Sequence, residues 1–249
     1  MSHLHFPDGL LPLWLLAAGF LITFLILGVC LKKLKKDEDF VRKVSLLAVL
    51  SALMLVAMSI PLGFIHYHIN LTVLVSLLLG PWLAFIGVFV VNFFLGFLGH
   101  GGFTVVGLNT LVVGSEVFLA YYIFFGFRRL LKTVPSVLGA TVITLLLSSL
   151  LMVSIVTAAG LSPSWLEHDQ HHDHDHHDHD YEHHGHDHEH EGGFWGYLEA
   201  YAKFILPLLL LGALIEAAVT GGVVVYLHKV KPALVEPLYG EGKPAAQES

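Results

Sequence analysis

Residues 10–31, LLPLWLLAAGFLITFLILGVCL, carry no charge and run straight into Lys32, Lys33, Lys35, Lys36, Arg42 and Lys43. An apolar run of 22 residues is long enough to cross a bilayer core of about 30 Å, since a helix rises about 1.5 Å per residue. No Lys or Arg precedes Lys32, so the run lacks the basic start of a cleaved secretory leader. It reads as a first membrane span. Basic loops stay on the cytoplasmic side, which puts residues 32–43 inside and the N-terminus outside.

The rest of the chain agrees. Of 249 residues, 55% are hydrophobic and only 13% charged, with a mean hydropathy of +0.71. Soluble domains carry about 25% charged residues. The expected class is therefore an all-α polytopic membrane protein. The formal charge of −7 arises locally: residues 167–191 hold ten of the twenty acids and twelve of the eighteen histidines. Nothing in the composition points to nucleic acid. The one cysteine, Cys30, lies within the first apolar run and reads as a small packing residue.

Hydropathy predicts further spans at about 44–65, 69–79, 82–98, 104–127, 135–159 and 203–227. The stretch 69–98 is either one long helix or two segments parted at Gly80-Pro81. Charge favours two. A single crossing would put Arg128, Arg129 and Lys132 outside, whereas a double passage, or a short re-entrant segment at 69–79, puts them inside. About seven passes result, forming a membrane domain over 1–231. An external loop at 167–191 interrupts it, and a proline-bearing tail at 232–249 is expected to be disordered in the cytoplasm.

Metal-binding residue types gather on the outer side. Near the N-terminus stand Ser2, His3 and His5. If the initiator Met is removed, the Ser2 amine, a deprotonated amide and the His3 imidazole close fused chelate rings. Such a flattened all-nitrogen set suits Ni(II) or Cu(II) better than tetrahedral zinc. The external loop adds His168, His171, His172, His174, His176, His177, His179, His183, His184, His186, His188 and His190, interleaved with Asp and Glu. A tract of this composition offers many weak, exchangeable ligands rather than a core.

Within the membrane charges are scarce. Glu116 is the only acidic or basic residue between Lys43 and Arg128, and Glu216 the only one in the last span. Two isolated glutamates are few for an ion pathway, although intramembrane carboxylates are usually functional or paired. Asn92 and Asn109 read as ties between helices. Ala48 and Ala52, with Ser51 beside them, form a small-residue stripe that lets another helix approach closely. No Gly-x4-Gly-Lys-Ser/Thr phosphate loop, nucleophile triad or paired-carboxylate site occurs, so the chain is expected not to be an enzyme.

Several stretches resemble one family. They are His5-Phe6-Pro7-Asp8-Gly9, His68, Leu79-Gly80-Pro81-Trp82-Leu83-Ala84-Phe85, Gly101-Gly102 with Gly107-Leu108-Asn109, and Ile215-Glu216 with Thr220-Gly221. In this order they resemble the CbiM/NikM group, the cobalt- and nickel-capturing S components of energy-coupling factor transporters. The resemblance implies a seven-span fold whose extended N-terminus inserts into the membrane domain. It implies a planar Ni(II) or Co(II) site built from the terminal amine, the second residue's amide and imidazole, and a histidine before the third span, which His68 matches. Alignment sets His5 on the family's N-terminal histidine, whereas His3 restores the second-position chemistry, so the two compete. The family's Gly-Thr-Ser segment is replaced by Phe64-Ile65-His66-Tyr67, which makes His66 a candidate fifth contact.

The resemblance further implies partners: a transmembrane coupling protein, two cytoplasmic ATPases and a small helper membrane protein. The Ala48/Ala52 stripe resembles the surface on which S components dock. The expected function is the substrate-binding membrane subunit of an ATP-driven importer in a prokaryotic cell membrane, with Ni(II) or Co(II) as cargo and no cofactor of its own. The alternative is a stand-alone secondary carrier or exporter, or a metal-storing membrane protein.

Overall fold

A computed structural model describes Phe6, Asp8, Gly9 and residues 11–34, 40–60, 68–99, 101–159 and 201–239. Helix α1 spans Leu13–Leu34, α2 Phe40–Ser59, α3 Thr72–Leu79, α4 Pro81–Phe97, α5 Val106–Arg128 and α6 Thr133–Ala158. A π-helical turn at Tyr201–Ile205 leads into α7, Leu206–Val230. A 3-10 turn at Pro232–Leu234 and a last short helix, α8, Glu236–Tyr239, follow. Among the described residues, five helices are long and apolar enough to cross a membrane: α1, α2 from Val41 onward, α5, α6 and α7. α4 is a shorter apolar helix, and α3 has only eight residues.

Prolines and glycines set the boundaries. α1 starts after Pro12, which cannot donate into a helix but whose carbonyl accepts from the Leu15 and Leu16 amides. Its last turn holds Lys32 and Lys33, favourably placed against the helix dipole. The span expected at 44–65 starts earlier and ends at Ser59, because Ile60 precedes Pro61 and a residue before proline avoids the helical region. Between α3 and α4 the chain breaks at Gly80, whose φ of 79° and ψ of 161° lie in a region open essentially to glycine alone. Pro81 then opens α4. The stretch 69–98 is thus two segments.

α5 is the hub, packed on α1, α3, α4 and α6, while α6 in turn packs on α7. The crossing of α1 with α5 is backbone against backbone. A Cβ on Gly107 would lie 2.6 Å from the Phe20 amide nitrogen, and the Thr23 hydroxyl donates to the Gly107 carbonyl at 2.8 Å. Small residues earn helix contacts in lipid this way, since apolar burial alone gains nothing there. The main core joins Met54, Leu74, Val88, Val117, Phe124 and Val224, with Leu13, Leu21, Leu25, Val49 and Leu214 exposed on the outside. An apolar exterior around a packed interior is what a bilayer requires.

Helix ends sort by contact. Lys33 Nζ sits 4.3 Å from the Trp82 ring centre, so the end of α1 meets the start of α4. Arg128, closing α5, donates through Nε to the Leu238 carbonyl at 3.0 Å, beyond the end of α7. This corrects the tail expectation. Residues 232–239 are ordered: Val235 and Leu238 are buried, and Tyr239 stacks on His228 at 3.8 Å between ring centres. The apolar face of a short helix, with Arg128 satisfying its carbonyls, outweighs the local prolines. Residues 240–249 lie outside the described set.

Candidate metal centre

The opposite end of the bundle holds the N-terminal segment. Phe6 is buried with Leu11, Val105, Leu108, Val112 and Val156. Its amide donates to Asn109 Oδ1 at 2.7 Å, and Asn109 Nδ2 donates back to the Phe6 carbonyl at 3.2 Å. One asparagine thereby satisfies both backbone groups of a buried residue outside any helix. Asn109 was expected to tie helix to helix. It ties the N-terminal segment to α5 instead.

Two residues on, Asp8 closes a second clamp. Its amide donates to the Gly101 carbonyl at 3.1 Å. Its carboxylate accepts from the Phe103 amide at 3.1 Å, the Thr104 amide at 3.0 Å and the Thr104 hydroxyl at 2.5 Å. These donors lie just before α5, where unpaired amides and the helix dipole favour an anion. Gly102 makes room, with φ at 145° and a hypothetical Cβ only 2.2 Å from Asp8 Cγ. The Thr104 hydroxyl, helped by the backbone amides and opposed by partial desolvation, lowers the Asp8 pKa below its ordinary 3.8.

A pH prediction follows from the sign of that shift. A carboxylate with a depressed folded-state pKa contributes its stability above the ordinary value and loses it only as pH falls through the lowered one. The Asp8 clamp therefore stays closed between pH 7 and 5. In metal titrations, wild type and Asp8→Asn are expected to differ by a constant factor across that range. A ratio that narrows between pH 7 and 5 would contradict the assignment. Metal loss common to both proteins there belongs to protonation of imidazole and amine.

His68 lies partly buried in the non-helical segment 68–71 that precedes α3. Asn70, two residues later, is gripped from two helices. Its Nδ2 donates to Glu116 Oε2 on α5 at 2.7 Å, and its amide donates to Glu216 Oε2 on α7 at 3.4 Å. Ser148 on α6 donates to the other Glu116 oxygen at 2.9 Å. Both glutamates are fully buried. They looked isolated in sequence; the fold brings them to one asparagine. Asn70 carried no sequence signal, since its three partners are 46, 146 and two residues away.

Ser2, His3, His5, His66, His100 and the twelve loop histidines lie outside the described residues. Among the described residues, no three His, Cys, Asp or Glu side chains gather to hold an ion. Ala48 and Ala52 are exposed and line a groove of about 370 Å³ between α2 and α4, closed by Val90 and Phe94. The tight contact of α2 with α4 is made instead by Leu47 and Ser51 over Gly87.

Comparison with known proteins adds the family. The profile of the CbiM family, described as the cobalt uptake substrate-specific transmembrane region, matches residues 5–234. The chain belongs to the CbiM family. A curated member, the cobalt transport protein CbiM of Clostridium tetani (strain Massachusetts / E88), is 31% identical over 144 residues. That match spans 55% of this chain and 60% of the relative. A crystal structure described as a transition metal transporter superposes with a TM-score of 0.67 at 24% identity, covering 94% of this chain and 98% of that one. A truncated transition metal transporter gives 0.62 at 23%, covering 91% and 99%. At such identities the two structures speak for the fold. This CbiM-family chain is a multi-pass membrane protein.

Proposed function

We propose that the chain is the substrate-capturing membrane subunit of an ATP-driven importer for Ni(II) or Co(II). The observation that carries this reading is the clamped N-terminal segment. Phe6 is anchored to Asn109, and the His68 segment is anchored through Asn70 to Glu116 on the same helix. Asn109 and Glu116 are seven residues apart, or roughly 10 Å along the axis of α5. The four residues Ser2 to His5 left after Met1 removal extend at most about 14 Å, so the chain ahead of Phe6 has the reach to bring its amine and imidazoles to His68.

In this reading the Ser2 amine, the His3 amide and imidazole, and His68 Nδ1 or Nε2 surround the cargo in a plane, with His5 the rival of His3 and His66 a fifth contact. Ligands of this kind bind deprotonated, so capture releases protons. About seven passes, with α3 short or re-entrant, would put this end outside on the same face as the His-rich loop, which would collect metal there. The basic end faces the cytoplasm. A coupling protein, two ATPases and a helper membrane protein would supply energy and release. Support comes from family membership and from a chain that holds no phosphate loop of its own.

The buried Glu116 and Glu216 favour a second reading, a secondary carrier, since ionisable groups in mid-membrane are what such carriers use. Metal uptake by cells making the chain alone, against cells also making the ATPase partners, separates the two. Uptake that needs the ATPases supports the importer. Equal uptake without them would leave the carrier standing.

A further inference from the structure

The segment 68–71 is non-helical backbone held among α3, α5 and α7, a costly arrangement inside a membrane domain unless its polar groups are met. Asn70 meets them. Its side-chain oxygen accepts from the Thr72 amide at 2.9 Å, its Nδ2 goes to Glu116, and its own amide goes to Glu216. The next residue, Leu71, sits at φ 57° and ψ 10°, a left-handed conformation uncommon for leucine. The Leu71 carbonyl then accepts from Val75 to open α3. A strained residue of this kind persists only where its surroundings over-determine it. Here Asn70 does so, reaching three elements from one side chain and one amide.

We propose that Asn70, clamped between Glu116 and Glu216 and followed by the left-handed Leu71, is the positioning residue that fixes His68 in the orientation at which its imidazole meets the metal. This rests on the reading of His68 as a ligand. Glu116 is in turn fixed by Ser148, so the chain two residues after His68 is held from α5, α6 and α7 together. Partners that orient a ligating histidine commonly contribute about 10–100-fold to metal affinity. A carboxylate is not required for this task, only an acceptor in its place.

The test is ligand-field absorption and affinity of the full chain with its native N-terminus, titrated with Ni(II) and Co(II) up to one equivalent. Asn70→Ala and Glu116→Ala should lose about 10–100-fold in affinity and move the absorption band toward that of His68→Ala. Glu116→Gln keeps an acceptor for Asn70 and a polar partner for Ser148, and should restore affinity to well within the roughly 10-fold that marks loss of a supporting partner. If Asn70→Ala does not fold, the pair Glu116→Ala and Glu116→Gln carries the comparison. A wild-type band and affinity in Asn70→Ala, with His68→Ala impaired, would overturn the positioning role, as would a Glu116→Gln no better than Glu116→Ala. An unimpaired His68→Ala would instead remove the ligand assignment itself, and the positioning role with it.

Discussion

His68→Ala in a chain lacking residues 168–190 is expected to bind Ni(II) or Co(II) more than about 100-fold more weakly than its parent, because losing a ligand exceeds the 10–100-fold effect of losing a ligand's support. Acetylating the terminal amine should have an effect of the same size. Removal of the loop matters to the design: its twelve histidines would otherwise report their own weak sites. His68 is only partly buried, so truncating it leaves no large cavity and the fold should persist. His3→Ala and His5→Ala then decide between the two N-terminal imidazoles, and mass spectrometry of the N-terminus establishes whether Ser2 carries the amine. His66→Ala should cost less, as a fifth contact outside the plane. Should tight binding disappear with the loop alone, and survive both His68→Ala and amine capping, the N-terminal centre would be abandoned.

Asn109→Leu is the second large effect. It strips the Phe6 amide and carbonyl of their partners in a buried place while keeping the branched shape of the side chain. Each orphaned group costs on the order of 1–3 kcal/mol. The chain recovers that cost by releasing the segment toward solvent rather than by unfolding the bundle. Metal affinity should therefore fall by at least roughly 30-fold, since the two groups together cost about 2 kcal/mol or more and 1.4 kcal/mol is tenfold, while thermal unfolding of the helices changes little. Gly102→Ala attacks the same segment from the other clamp, through a Cβ that cannot share space with Asp8. If both variants left affinity unchanged, the clamped segment would have no part in capture.

Much of the architecture was legible along the chain because the bilayer reads sequence in one dimension. Hydropathy marks helices that must be apolar over about 20 residues, and Lys and Arg cluster at one end of them. The break at Gly80-Pro81 was written in two residues whose backbone limits are local. The tail was misread for the complementary reason. Prolines at 232 and 237 argue against order locally, and the contacts that order Leu238 and Tyr239 come from elsewhere in the chain, from Arg128 and Thr133 more than 100 residues away and from the His228 ring.

The candidate site was legible in part. His68 and the N-terminal histidines stand out by residue type, and the family resemblance ranked them. Glu116 and Glu216 stood out as charges in apolar helices. Their convergence did not, because helices that are apolar all round give no stripe from which to tell which face turns inward. Side-chain packing and hydrogen bonds choose that rotation, and both depend on neighbours distant in sequence. The sequence by itself determined that this chain crosses a membrane repeatedly, with Lys and Arg gathered at helix ends. Only the tertiary structure decided that Asn109 and Asp8 hold the N-terminal segment and that Asn70 joins the two glutamates beside His68. Those bonds link residues up to 146 positions apart, and a pairing at that separation is fixed by helix rotation, which local composition does not encode.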